Sequence, residues 1–244
     1  MKKIAAILIL ILYFAPFNYS QTYVWKQLPN APVSGRNDDI SFVTPMLGWV
    51  ATGSGQIFKT TDGGDSWQVQ LQTTAYLRSL KFADSLNGWA GTLDKNQLLF
   101  HATNGGKIWN LVTNLPAAPV ALCGLSVVSK DVIYGSGAYF GPPVVIKSTD
   151  SGLNWEAIDM SSYTSTLVDC HFFNKDSGFV IGGLDDGVFN GDLSTVKVVI
   201  LFTSDGGNSW QTKYTGQTTG EWGWKISFPT RLNGYVSVEN FNSA

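Results

Sequence analysis

The stretch TTDGGDSW, Thr60 to Trp67, sets two glycines and two carboxylates against one tryptophan. Glycine-rich loops can cradle phosphate with backbone N–H groups, and clustered aspartates can ligate Ca²⁺. Near-copies recur as ATNGGKIW at Ala102–Trp109, STDSGLNW at Ser148–Trp155 and TSDGGNSW at Thr203–Trp210. No helical pattern follows any of them, which excludes a phosphate loop at a helix N-terminus. A second acidic run, Asp185, Asp186, Asn190 and Asp192, offers oxygen ligands but lacks the spacing of a twelve-residue calcium loop. It reads as a solvated insertion. His101 and His171 lie far apart in the repeat pattern, so no metal site and no cofactor are expected.

The elements that carry these residues repeat. Trp67, Trp109, Trp155 and Trp210 stand 42, 46 and 55 residues apart, close to the ~40–50 residue period of propeller blades. Upstream lies a second landmark: Gly48-Trp49, Gly88-Trp89, Ile133-Tyr134, Gly178-Phe179 and Gly234-Tyr235. Seven residues before each of these aromatics sit Phe42, Phe82, Val127, Phe172 and Phe228, and nine before sit Ile40, Leu80, Leu125, Cys170 and Ile226. This is strand alternation with one apolar face, five times over. Glycines number 26, aromatic residues make up 13% of the chain, and helix formers are scarce, which argues for an all-β fold. Each repeat reads as strands A to D, with the box in the C–D hairpin and its Trp opening strand D. Asp or Asn and Gly there satisfy and permit a tight turn.

Thr60-x-Asp62-x-Gly64-x-x-Trp67 resembles the Asp-box, or BNR repeat, of sialidases, sortilin-type receptors and the photosystem II stability/assembly factor family. Ser148, Asp150, Gly152 and Trp155, and Thr203, Asp205, Gly207 and Trp210, complete two further boxes. The second box departs, with Ala102 and Asn104 ahead of Gly106 and Trp109. The resemblance implies an all-β propeller of four-stranded antiparallel blades in which the boxes are scaffold, remote from any active site. It is nearest to the assembly-factor group, whose members bind and assemble partners.

Blades are expected around residues 38–71, 78–113, 123–158 and 168–213, with a partial blade at 224–240. Trp25-Lys-Gln-Leu28 matches the strand D openings, which puts an N-terminal D strand at 23–28. About five blades are then present, and the missing fifth box has two readings: a five-bladed ring with a degenerate last blade or, the favoured one, a truncated seven-bladed ring. Residues 1–20 have the layout of a secretory signal: Lys2 and Lys3, an apolar run from Ile4 to Ala15, and Ser20 before the cut. That run is too short to span a bilayer, so the mature protein is expected to be secreted, periplasmic or on the cell surface, with no membrane span after cleavage; a retained anchor is the alternative. A net charge of −2 without a basic block argues against nucleic acid. Two cysteines, Cys123 and Cys170, are too few for a disulfide-framed scaffold; pairing and free thiols both remain open.

Alternating strands put the D–A and B–C loops on one face, where families of this type place ligands. Arg36 and Asp38 enter the first A strand there, Tyr76 and Arg78 the second, and Glu221, Trp222 and Trp224 the fifth. Asp185 and Asp186 belong to the longest B–C loop. These are the expected binding residues for a protein or glycan partner. A glycoside hydrolase is the alternative. A sialidase needs three arginines, but Arg231 falls in an A–B turn on the box face and Asn37 follows Arg36, so the Arg-Ile-Pro signature is absent. A xyloglucanase-like enzyme needs two carboxylates about the sugar; Asp38 with Asp169 or Asp185 are the expected pair. Glu221, beside two tryptophans able to stack on a sugar, is the other place to look.

Overall fold

A computed structural model describes residues 27–28, 30–32 and 35–242. The expected leader and all but the last two residues of the N-terminal strand lie outside the described residues. Four four-stranded antiparallel meanders follow one another: β1 (Asn37–Phe42), β2 (Gly48–Thr52), β3 (Gln56–Thr60) and β4 (Gln68–Gln72); β5 (Leu77–Phe82), β6 (Gly88–Thr92), β7 (Leu99–Ala102) and β8 (Asn110–Leu111); β9 (Gly124–Val127), β10 (Ile133–Gly137), β11 (Val144–Ser148) and β12 (Glu156–Asp159); β13 (Thr166–Phe172), β14 (Gly178–Leu184), β15 (Lys197–Thr203) and β16 (Gln211–Thr215). The hairpin β17 (Glu221–Thr230) and β18 (Asn233–Asn240) follows. This is a β-propeller of the Asp-box type.

The strands fit each other through paired volumes. Phe42, Phe82 and Phe172 stand opposite Gly48, Gly88 and Gly178 in register. A Cβ on Gly88 would lie 2.3 Å from the Phe82 ring, and one on Gly178 2.4 Å from that of Phe172. The glycine before each landmark aromatic therefore makes room for a phenylalanine. In the third blade both change together, with Ile133 opposite Val127, so the pocket volume is conserved.

Neighbouring blades are joined by the landmark aromatics. Trp49, fully buried, stacks on Phe82 of the next blade at 3.5 Å, and its Nε1 donates to Gly105 O at 3.3 Å. Tyr134 stacks on Phe172 at 3.5 Å and donates to Lys175 O at 2.6 Å. Opposite these rings in the same blade stand Lys59 and Lys147, which donate to Gly105 O and Gly206 O of the next box at 2.8 and 3.0 Å. In the second blade His101 takes that place, stacked on Trp89 at 3.5 Å, and burial lowers its pKa to about 4. Nearer the axis, Ser41 Oγ accepts from Phe82 N at 3.0 Å and Ser126 Oγ from Phe172 N at 2.8 Å. Asp39 and Asp169 do the same for Leu80 N and Ile226 N, at 2.9 and 3.1 Å.

The boxes are closed turns. Thr60 Oγ1 donates to Asp62 at 2.7 Å and accepts from Gly64 N at 2.8 Å, while Asp62 accepts from Ser66 N at 2.9 Å. Ser148/Asp150 and Thr203/Asp205 repeat this pattern. In the second box Ala102 has no hydroxyl, and Asn104 keeps a bond from Ile108 N at 3.0 Å. The hydrogen bonds from Ser66 and Ser209 hold Asp62 and Asp205 at about 2. Each box also bonds the A–B turn of its own blade, as in Gly63 N to Met46 O at 3.0 Å and Gly105 N to Leu86 O at 2.8 Å.

One expectation of a buried apolar A strand fails in the first blade. Leu80 and Leu125 are sealed, whereas Ile40 is 56% exposed and Phe42 41%. Tyr235 on β18, the landmark aromatic of the fifth repeat, is 69% exposed. Trp49 and Tyr134 stack on Phe82 and Phe172 of the following blade, and among the described residues no landmark aromatic stacks on Phe42 in the same way. Cys123 and Cys170 are buried free thiols.

Candidate functional site

The loop face gathers residues that are distant in sequence. Asp38, one step into β1, has a fully buried side chain and pairs with Arg36 Nε at 2.9 Å and Arg78 Nη1 at 3.7 Å. Arg78 is itself only 3% exposed. Its guanidinium lies over the Trp224 ring at 4.5 Å, with that of Arg36 at 5.5 Å. Burial pushes the Tyr76 hydroxyl above its ordinary pKa, and the neighbouring Asp38 carboxylate adds to the shift. Two arginines thus converge on one carboxylate and one indole, since a guanidinium binds well both in its plane and on its face.

The other wall comes from β17, whose ladder shifts register at Trp224 between Gly223 and Lys225. The Trp222 and Trp224 rings both line the same space, 5.4 Å apart and nearly perpendicular. Trp222 is sandwiched by Phe241 at 5.1 Å and Tyr139 at 5.5 Å. Between these walls is a cavity of about 430 Å³, which Leu93, Leu193 and Glu239 also line.

Of the expected binding residues, the structure brings together Arg36, Asp38, Tyr76, Arg78, Trp222 and Trp224. Trp222 is 1% exposed, so it supports the cavity and presents no face for sugar stacking, contrary to that expectation. Glu221 is half-buried at the start of β17 and does not line the cavity. Asp185 and Asp186 stay in their own loop. Asp185 accepts from Gly187 N at 2.7 Å and from Thr195 Oγ1, Asp186 pairs with Lys197, and Asp192 accepts from Ser194 N at 2.9 Å. Among the described residues no group of acidic, histidine or cysteine side chains is arranged to hold a metal. Asp38 and Asp169, each buried with its own lysine or arginine partners, and the half-buried Asp185 do not line one cavity.

Leu93, Tyr139, Leu193, Glu239 and Phe241 were not anticipated. Leu93, Tyr139 and Leu193 lie in B–C loops, so the loop-face rule alone could have flagged them. Phe241 carries no such signal, because its place depends on how the chain leaves β18.

Residues 17–158, more than half the chain, match the family model described as photosynthesis system II assembly factor YCF48. The chain belongs to this family. A curated member, the photosystem II assembly lipoprotein Ycf48 of Synechococcus sp. (strain CC9902), is 31% identical over 127 residues, which is 49% of this chain and 35% of that protein. The alignment therefore spans about a third of the relative's length. Among solved structures, YCF48 from Cyanidioschyzon merolae has a TM-score of 0.57 at 14% identity, covering 89% of this chain and 67% of that one. The GH74 xyloglucanase of Xanthomonas campestris has a TM-score of 0.53 at 11% identity, covering 68% of this chain and 28% of the enzyme. These two likenesses bear on fold alone. They place the YCF48-family chain and a glycosidase on the same scaffold, so the fold does not choose between binding and hydrolysis.

Proposed function

We propose that this YCF48-family propeller is a non-enzymatic module that binds a protein partner through its D–A/B–C loop face and acts in assembly. The observation that carries the reading is the cavity bounded by Arg36, Tyr76, Arg78 and Trp224. It combines an aromatic wall with two guanidinium groups, the residue types that dominate protein recognition sites. The partner surface that fits is an extended polypeptide segment with an apolar side chain for the aromatic wall and oxygen acceptors for Arg36. Family membership supports the same reading, since relatives carry assembly-factor names. Export is part of the proposal and rests on the leader-like start of the sequence and on the lipoprotein name of the Synechococcus relative.

The hydrolase alternative needs two carboxylates across one sugar. Glu239 is the one carboxylate among the described residues that lines the cavity, while Asp38 lies sealed beneath it. A photo-crosslinking residue placed at Tyr76 should capture a protein partner in the native host extract, and the same residue at Ile108, on the box face, should not. Turnover of xyloglucan and sialosides should be undetectable. Hydrolysis lost in Glu239→Gln or Glu221→Gln would overturn the binding reading.

A further inference from the structure

The loop face holds a second hollow, between the third and fourth blades. Phe140, Pro142 and Pro143 from the β10–β11 loop, Thr164 and Ser165 from the β12–β13 loop, and Phe189 from the β14–β15 loop line a space of about 450 Å³. Bonds between these loops fix its shape. Leu167 N donates to Ala138 O at 3.2 Å, Met160 N to Pro143 O at 3.0 Å and Asp185 N to Ser165 Oγ at 2.9 Å. The buried Thr164 donates from Oγ1 to Gly183 O at 2.9 Å. The polar groups of the floor are thus engaged, and what the mouth offers is apolar. Phe140 is 43% exposed, and Val188, beside Phe189, is 94% exposed. Exposed apolar side chains gathered at a concave site mark a contact surface.

This hollow adjoins the arginine–tryptophan cavity. Tyr139 lines the first space and Phe140 the second, their rings 4.8 Å apart and nearly perpendicular. Ring-to-ring steps of 5.4, 5.5 and 4.8 Å lead from Trp224 through Trp222 and Tyr139 to Phe140. An extended chain advances ~3.3 Å per residue, so about five residues suffice to reach from one space to the other. The two ends differ in charge. Asp159, Asp185, Asp186 and Asp192 surround the second hollow, and Lys197 pairs with Asp186 alone. The other three accept from the neutral groups Ser161 N, Gly187 N and Ser194 N. The rim of the second hollow therefore keeps an excess of negative charge, where the first presents guanidinium groups.

We propose that this hollow is a second anchor pocket for the same partner segment. It takes an apolar side chain within about five residues of the one that meets Trp224, with a lysine or arginine next to it facing the aspartate rim. The pocket names the partner's second contact and rests on the loop-face binding reading.

A phage-displayed library of random twelve-residue peptides, selected on the full chain, supplies the probe. Enriched peptides should share two apolar positions within five residues of each other, with Lys or Arg beside one of them. Binding of a fluorescein-labelled copy of the most enriched peptide is then followed by anisotropy. Phe140→Asp should weaken it at least tenfold, and Leu115→Asp, in the β8–β9 loop of the same face, less than twofold. Asp192→Lys should weaken it about fivefold, and exchanging the peptide's cation for Glu should restore the affinity. Alanine at the second apolar position of the peptide should cost tenfold on the natural chain and nothing further on Phe140→Asp. That comparison separates a pocket contact from a misfolded loop. Equal losses in Leu115→Asp and Phe140→Asp, or no response to Asp192→Lys, would overturn the pocket. A motif with one anchor, lost in Trp224→Leu and indifferent to Phe140→Asp, would also overturn it and leave the binding reading standing. Peptides indifferent to both substitutions, or no enrichment at all, would reject the binding reading and the pocket with it.

Discussion

Replacing Trp49 by Ala removes the side chain that ties the first blade to the second. Trp49 is fully buried, stacks on Phe82 at 3.5 Å and donates to Gly105 O at 3.3 Å, with Lys59 Nζ 5.2 Å from its ring. Truncating a buried Trp to Ala costs ~3–5 kcal/mol, and the lost hydrogen bond leaves Gly105 O to Lys59 alone, so the upper part of that range is expected. A domain of this size loses about 2–4 °C of melting temperature per kcal/mol, so Tm should fall by roughly 10–20 °C. Trp67→Ala is the comparison. Trp67 is a box tryptophan that remains partly exposed and donates to Gly64 O within its own turn at 3.0 Å. Its loss should lower Tm by about half as much, because less apolar area returns to water. Melting is followed by far-ultraviolet circular dichroism, which does not depend on the deleted fluorophore. A Trp49→Ala shift no larger than that of Trp67→Ala would refute the claim that the landmark aromatics, rather than the boxes, carry the joints between blades.

The second box offers a gain. Ala102→Thr restores the hydroxyl that Thr60 and Thr203 use to bond the glycine N–H four residues on, and those threonines are equally buried; chemical denaturation should report ~0.5–1.5 kcal/mol of added stability. No gain, or a loss, would mean that the box backbone rather than its hydroxyl closes the turn. Acid should act on the intact boxes late: Asp62 and Asp205 titrate at about 2, below the unfolded value of ~3.9. Because their native pKa is depressed, their contribution is full above about pH 4 and is lost as pH falls through about 2. Carboxyl ¹³C shifts should titrate near 2 and move toward 4 in Ser66→Ala for Asp62, with Asp205 unchanged.

The fold was legible because its rules are local. Period-two alternation, the Gly-aromatic landmark and the Thr-x-Asp-x-Gly turn each depend on neighbours a few residues away or on the adjacent strand, so each repeat writes them again. Even the exchange of Gly and Phe for Ile133 and Val127 is a local volume rule, visible once the two positions are aligned. The departures sit where local rules lack a partner. Ile40 and Phe42 have the sequence of a buried strand and are exposed, because burial at such positions depends on a ring from another blade, as Trp49 supplies for Phe82.

The site divides in the same way. That Arg36, Asp38, Tyr76, Arg78, Trp222 and Trp224 enter A strands from the loop face followed from strand direction alone. That Asp38 would be sealed between two arginines, Trp222 sandwiched out of reach, and Glu221, Asp185 and Asp186 left aside did not. Those outcomes depend on the curvature that brings β17 back to within 4.0 Å of Asp39. Sequence by itself determined which loops share a face, because antiparallel neighbours reverse direction; the period-two pleat is interrupted at Asp38, Arg78 and Trp224, where the ladders shift register. Only the tertiary structure decided which of them meet, because the distance between the first and fifth repeats is set by the summed packing of every blade between them.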